Sequence, residues 1–107
     1  MYNLPTIGEV LYEEFMQPFG LSQNALAKAL NVPQNRISDI ISGKRGVSVD
    51  TDLRLCHFFG LTDGYFSGMQ LDFERIATKR AISGALQKII PMNNYNPPVD
   101  DKVALRV

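Results

Sequence analysis

Apolar positions recur along this chain with the helical period of three and four residues, in short stretches punctuated by Pro, Gly and Asn. Thr6 followed three positions later by Glu9 has the form of a capping box. It opens a helix whose Ile7, Val10, Leu11 and Phe15 share one face and which Pro18 and Gly20 end. Ser22 is placed to cap a second helix, Gln23–Leu30, with Leu26 and Leu30 inward. Asn31 follows it at a position that needs a left-handed backbone, which Asn tolerates better than most residues. Pro33 opens a third helix, where its missing N–H costs nothing, and Ser42-Gly43 close it ahead of a basic turn, Lys44-Arg45-Gly46. Ser48 is the expected cap of a fourth helix, about Val49–Phe59, with Leu53, Cys56 and Phe59 at helical spacing and Gly60 as its stop. Thr62 is the expected cap of a fifth, striped by Phe66, Met69 and Phe73.

Ile82, Leu86, Ile89 and Ile90 repeat the helical pattern, with Ser83-Gly84 weakening it; periodicity leaves open whether they continue the fifth helix. From Pro91 onward the chain turns to Asn, Pro and Asp and reads as an extended or disordered tail. Val103–Val107 could pair as a strand with another segment, but no alternating pattern elsewhere is convincing. The class expected is all-α.

The length of 107 residues and the 45% hydrophobic content suit one small helical core. The longest apolar runs fall far short of the roughly 20 residues that span a bilayer. Met1–Pro5 lacks a basic and then apolar run, so no signal peptide is expected. Cys56 is the one cysteine, which rules out an internal disulfide and fits a reducing, cytoplasmic setting. Net charge is zero, which by itself speaks against a polyanionic partner. The distribution changes that picture. Glu9, Glu13 and Glu14 stand before residue 22 with no base among them, whereas Lys28, Arg36, Lys44 and Arg45 face only Asp39 between residues 22 and 46. That positive window is where local phosphate contacts would have to arise.

The same window carries the more specific signal. Two short helices joined by a tight turn, the second polar on its outer side, make a helix-turn-helix unit. In Gln23–Ser42 the small Ala27 sits where the helices cross, Asn31 takes the turn, and Leu26, Leu30, Val32, Ile37 and Ile40 are apolar where the unit must pack. At about 100° per residue, Ile37, Ile40 and Ile41 of the third helix, Pro33–Ser42, cluster on one side. Asn35, Ser38, Asp39 and Ser42 project from the other, with Gln34 and Arg36 on the flanks. Asn and Gln can bond adenine, Arg guanine, and an acid can accept from cytosine. Gln34, Asn35, Arg36, Ser38 and Asp39 are therefore the candidate base readers, Asp39 serving either a cytosine or Arg36 as its i, i+3 partner. Ser22, Gln23, Lys44 and Arg45 are the candidate phosphate anchors.

The window LSQNALAKALNVPQNRISDIISGKRGVSVDTDLRLCHFFG resembles the XRE/lambda-repressor-like helix-turn-helix family. With the preceding IGEVLYEEFMQPFG it is similar to the HigA-type antitoxin (plasmid-maintenance antidote) branch, over about residues 7–66. The resemblance implies a five-helix repressor fold; residues 1–76 are read as that helix-turn-helix domain, and residues 77–107, which run beyond the resemblance, as a helical extension and flexible tail. It further implies a homodimer on a palindromic double-stranded DNA operator upstream of its own operon, and a RelE-like ribonuclease toxin as partner. The family's phosphate-contacting Gln falls on Gln23 and its groove positions on Gln34, Asn35 and Asp39. The chain departs from the branch at Tyr65-Phe66-Ser67-Gly68-Met69-Gln70, where relatives carry an FWLNLQ-like run, and this bears on the dimer contacts.

Other classes of function are weaker. Cys56 and His57 are neighbours on a helix and point about 100° apart, so they do not form a nucleophile–base pair. One His and one Cys offer no metal-ligand spacing. Neither an enzyme nor a metal, small-molecule cofactor or membrane partner is expected. A stand-alone XRE-type regulator without a toxin is the alternative within the same fold. The stripes Phe66/Met69/Phe73 and Ile82/Leu86 serve either the monomer's own core or a dimer or partner contact.

Overall fold

A computed structural model describes residues 3–98. Among these residues every regular element is helical. The first helical segment changes pitch twice: α1 (Ile7–Val10) runs into a π-helical stretch (Leu11–Met16) and then a 3-10 turn (Gln17–Phe19). It is followed by α2 (Gln23–Leu30), α3 (Gln34–Ile41), α4 (Val49–Phe59), α5 (Tyr65–Ala81), α6 (Ser83–Gln87) and a 3-10 turn at Met92–Asn94.

Local chemistry sets most of the helix starts. Thr6 Oγ1 accepts the Glu9 N–H at 3.0 Å while Glu9 Oε1 accepts the Thr6 N–H at 2.8 Å, closing the capping box. Ser22 and Ser48 accept the N–H groups of Ala25 and Thr51. Asn31 ends α2 at φ 58°, and the Val32 N–H reaches back to the Ala27 carbonyl, satisfying the last turn. Pro33 lies one position earlier than expected: it is the N-cap, and α3 begins at Gln34.

Three readings of the periodicity need correction. The first is incomplete: with the π-helical pitch Met16 too turns fully inward, while Phe15, half-buried, packs on the core as its face predicts. On α4 the inward residue is Leu55, together with Cys56; Leu53 is 44% exposed. Thr62 does not cap α5 with its side chain. Its carbonyl accepts the Tyr65 N–H, and the cap is supplied from a distance by Asp52. Asp52 is buried on α4 and accepts the N–H groups of Gly64, Phe66 and Ser67 at 2.7, 2.9 and 2.8 Å. A carboxylate facing three N–H groups at a helix N-terminus is well placed both for hydrogen bonding and for the helix dipole.

The core joins Ile7, Leu11, Met16, Leu26, Leu30, Ile37, Ile40, Val47, Leu55, Cys56 and Phe66. Phe15 packs against Phe59 and Phe66, both with ring centroids 5.1 Å away, locking the first segment onto α4 and α5. α1 crosses α3 at Gly8, where an added β-carbon would drive into the Ile40 carbonyl, so only glycine fits.

α5 leaves this core half-way along its length. Phe66 is fully buried and Met69 packs on the core, but Leu71, Ile76, Ile82 and Leu86 are each 40% exposed or more. The helix runs unbroken past residue 76, so the expected domain boundary falls inside α5, and the break comes at Ile82 (φ −110°, ψ 17°). Beyond it, Met92–Asn94 form a turn where the composition reads as an extended tail. The proposed strand at Val103–Val107 lies outside the described residues.

Candidate nucleic-acid interface

The α2–turn–α3 unit is built from its buried residues outward. Leu26, Ala27 and Leu30 of α2 and Ile37 and Ile40 of α3 are buried, which fixes how α3 is rotated. Its opposite side carries the exposed Gln34 and Asn35, with Ser38 and Asp39 half-buried beside them. The exposed end of α3's first turn is therefore polar amide, free of apolar bulk.

The other proposed residues fall into two groups. Ser38 and Ser42 donate their hydroxyls to the carbonyls of Asn35 and Asp39, both at 3.2 Å, turning those donors back onto the helix. Asp39 pairs with Arg45, Oδ2 to Nη2 3.5 Å, and the Asp39 carbonyl accepts the N–H groups of Lys44 and Arg45. The expected Asp39–Arg36 pair is not formed. Arg36 reaches instead across to α4, where Nη1 lies 3.2 Å from Asp50 Oδ1. The i, i+3 spacing allowed the first pairing, but a carboxylate on the neighbouring helix and a basic turn after α3 offer both residues better-placed partners.

Lys44 is exposed and, among the described residues, forms no ion pair. Ser22 caps α2 through its oxygen, keeping its hydroxyl hydrogen available, and Gln23 follows it half-buried. The loop that holds Lys44 and Arg45 is anchored by Gln70 of α5. Gln70 Oε1 accepts the Val47 N–H at 2.7 Å and Gln70 Nε2 donates to the Val47 carbonyl at 3.0 Å, as a neighbouring strand would. Gln70 and Asp52 hold the interface in place, and neither is visible in local periodicity. The one available signal was a polar residue at a position facing the apolar stripe.

Among the described residues no group of His, Cys, Asp and Glu could hold a metal ion. No helix there is long and apolar enough to cross a membrane.

An exposed amide-rich face on the second helix of a tight helical pair, with a capped helix N-terminus on one side and an exposed lysine on the other, defines a helix-turn-helix protein. The chain belongs to the helix-turn-helix family, whose profile matches residues 13–66. Proteins similar to it within that family include antitoxins of HigA type. The Pseudomonas aeruginosa antitoxin HigA, solved with the higBA promoter, superposes with a TM-score of 0.76 at 29% identity, over 83% of this chain and 98% of that one. An addiction module antidote protein of the HigA family from Coxiella burnetii gives 0.75 at 31% identity, over 84% and 99%. Virulence-associated protein I of Dichelobacter nodosus is 53% identical over 60 residues, which is 54% of this chain and 56% of that protein. The chain thus spans little more than half the length of that curated relative.

Proposed function

We propose that this protein is a sequence-specific DNA-binding repressor that acts as the antitoxin of a HigBA-like module and represses its own operon. The observation that carries the reading is the α3 face: Gln34 and Asn35 are exposed opposite a fully buried Ile37 and Ile40. Amides so placed can bond adenine bidentately in the major groove. Around them, Gln23 and the Ser22-capped start of α2, together with Lys44, are positioned as phosphate anchors. Arg45 and Asp39 hold each other, so the primary readers are Gln34 and Asn35, with Arg36 beside them. The similarity to a HigA solved with promoter DNA supports the DNA partner.

A homodimer is the second part of the proposal. Ile82 and Leu86 are 42% and 40% exposed, Ile89 and Ile90 65% and 56%. A lone chain rarely leaves so continuous an apolar run in water. Phe66 plays no part in such a seam, being fully buried in the core, and Phe73 is half-buried, lining a cleft together with Leu4, Pro5 and Ile7. The contact therefore falls to Ile82 and Leu86, and Met69, which packs on the core, takes no part in it. A RelE-like ribonuclease is the expected toxin, and catalysis is assigned to that partner and not to this chain.

The test is binding of the purified protein to DNA upstream of its own gene, against random-sequence duplex at physiological salt, together with co-expression of the adjacent reading frame. Preferential retention of the upstream DNA and co-purification of a small basic protein whose toxicity this chain relieves are expected. Preference for the DNA without any such partner would mean a stand-alone regulator. No preference would overturn the repressor reading.

A further inference from the structure

Arg36 does not hang free at the edge of α3. Its Nη1 lies 3.2 Å from Asp50 Oδ1 at the start of α4, and the same oxygen accepts from Arg54 Nε at 2.8 Å. Arg54 is fixed in turn by donating Nη1 to the carbonyls of Leu30 at 2.8 Å and Asn31 at 3.4 Å, the end of α2 and the turn itself. One carboxylate thus ties the recognition helix, the turn and α4 together through two guanidinium groups. The Asp50 side chain is 58% exposed and Arg36 only 30%. Ion pairs as exposed as this one add little to folding, so the arrangement calls for another use.

An arginine unheld on a recognition helix is a generic phosphate ligand, with a full charge and a long, flexible stem. Held by one N–H on a carboxylate, its planar group is fixed in direction, its charge is offset, and its remaining donors stay available for a base edge.

We infer that Asp50 is a specificity-determining positioning residue, which holds Arg36 as a base reader and keeps it from serving as an indiscriminate phosphate anchor. This rests on the DNA-reading function proposed above. Asp50→Asn keeps the shape and removes the charge. Binding is measured over a range of salt to two duplexes: one selected by the wild-type protein from a random pool, and one of scrambled sequence. For Asp50→Asn, scrambled DNA should bind about tenfold more tightly and the preference should fall by about as much. The salt dependence on scrambled DNA should steepen by about 0.9 in log–log slope, one added phosphate contact. Asp50→Glu, which retains the carboxylate, should restore most of the preference, and in an Arg36→Ala background Asp50→Asn should change nothing further.

Equal shifts on both duplexes with no change in slope, or an effect that survives without Arg36, would overturn the proposal while leaving DNA reading intact. A wild-type protein that selects no sequence from the pool would overturn the DNA reading itself, and the role of Asp50 with it.

Discussion

Asn35 is exposed on the outward side of α3, and Lys44 is exposed just beyond the helix that carries it. One offers a base-pairing amide, the other a point charge, so their loss should read differently. Asn35→Ala is expected to cost about 1–3 kcal/mol on the selected site and to relax preference at one base position. Lys44→Ala is expected to weaken binding alike on all sequences and to flatten the salt slope by about one. Titrations of both variants on matched and scrambled duplexes check this; identical behaviour would dissolve the distinction between reader and anchor. Single residues were legible where their partners are near in sequence. Thr6, Ser22, Asn31 and Ser48 act on groups a few positions away. The Asp39–Arg36 pair, one of the two roles the spacing allows Asp39, does not form because their partners, Arg45 and Asp50, lie on a loop and on another helix.

Among the elements, α2, α4 and their ends follow from pattern alone, because an amphipathic stripe between a capping serine and a left-handed stop specifies both limits. The start of α5 does not, since its cap comes from Asp52, twelve residues before Gly64 and buried against it. Asp52→Ala leaves three N–H groups without their acceptor and is expected to cost about 3 kcal/mol, measured by urea denaturation; a loss below about 0.5 kcal/mol would show that Asp52 is not the cap that fixes α5. The crossing of α1 and α3 rests on Gly8 in a comparable way. Gly8→Ala must push α1 off the Ile40 carbonyl and should destabilise by about 1–3 kcal/mol or more. Both variants report on packing and not on DNA contact, so DNA preference should persist in whatever fraction remains folded.

The molecule as a whole is a small core with a long arm. Its Cα radius of gyration is 20.3 Å, against about 13 Å for a compact chain of this size, and residues 74–96, from the second half of α5 onward, are exposed throughout. The sequence shows two apolar stripes in this region but cannot say which one the monomer keeps. The fold divides them: Phe66 and Met69 go to the core, while Ile82 and Leu86 stay outside. If those outer residues form the dimer seam, Ile82→Asp with Leu86→Asp should yield a folded monomer by light scattering, with unchanged helical content and DNA affinity reduced at least tenfold. A variant that remains dimeric would place the seam elsewhere.

The central claim is that two copies of α3 read two half-sites on one face of a duplex. Hydroxyl-radical footprinting of the protein on DNA upstream of its own gene, at physiological salt, tests it most directly. Two protected half-sites centred about one helical turn, ~34 Å, apart, both lost when Gln34 and Asn35 are changed to alanine, is the expected result. Uniform, salt-sensitive protection without half-sites, unchanged by those two substitutions, would contradict it.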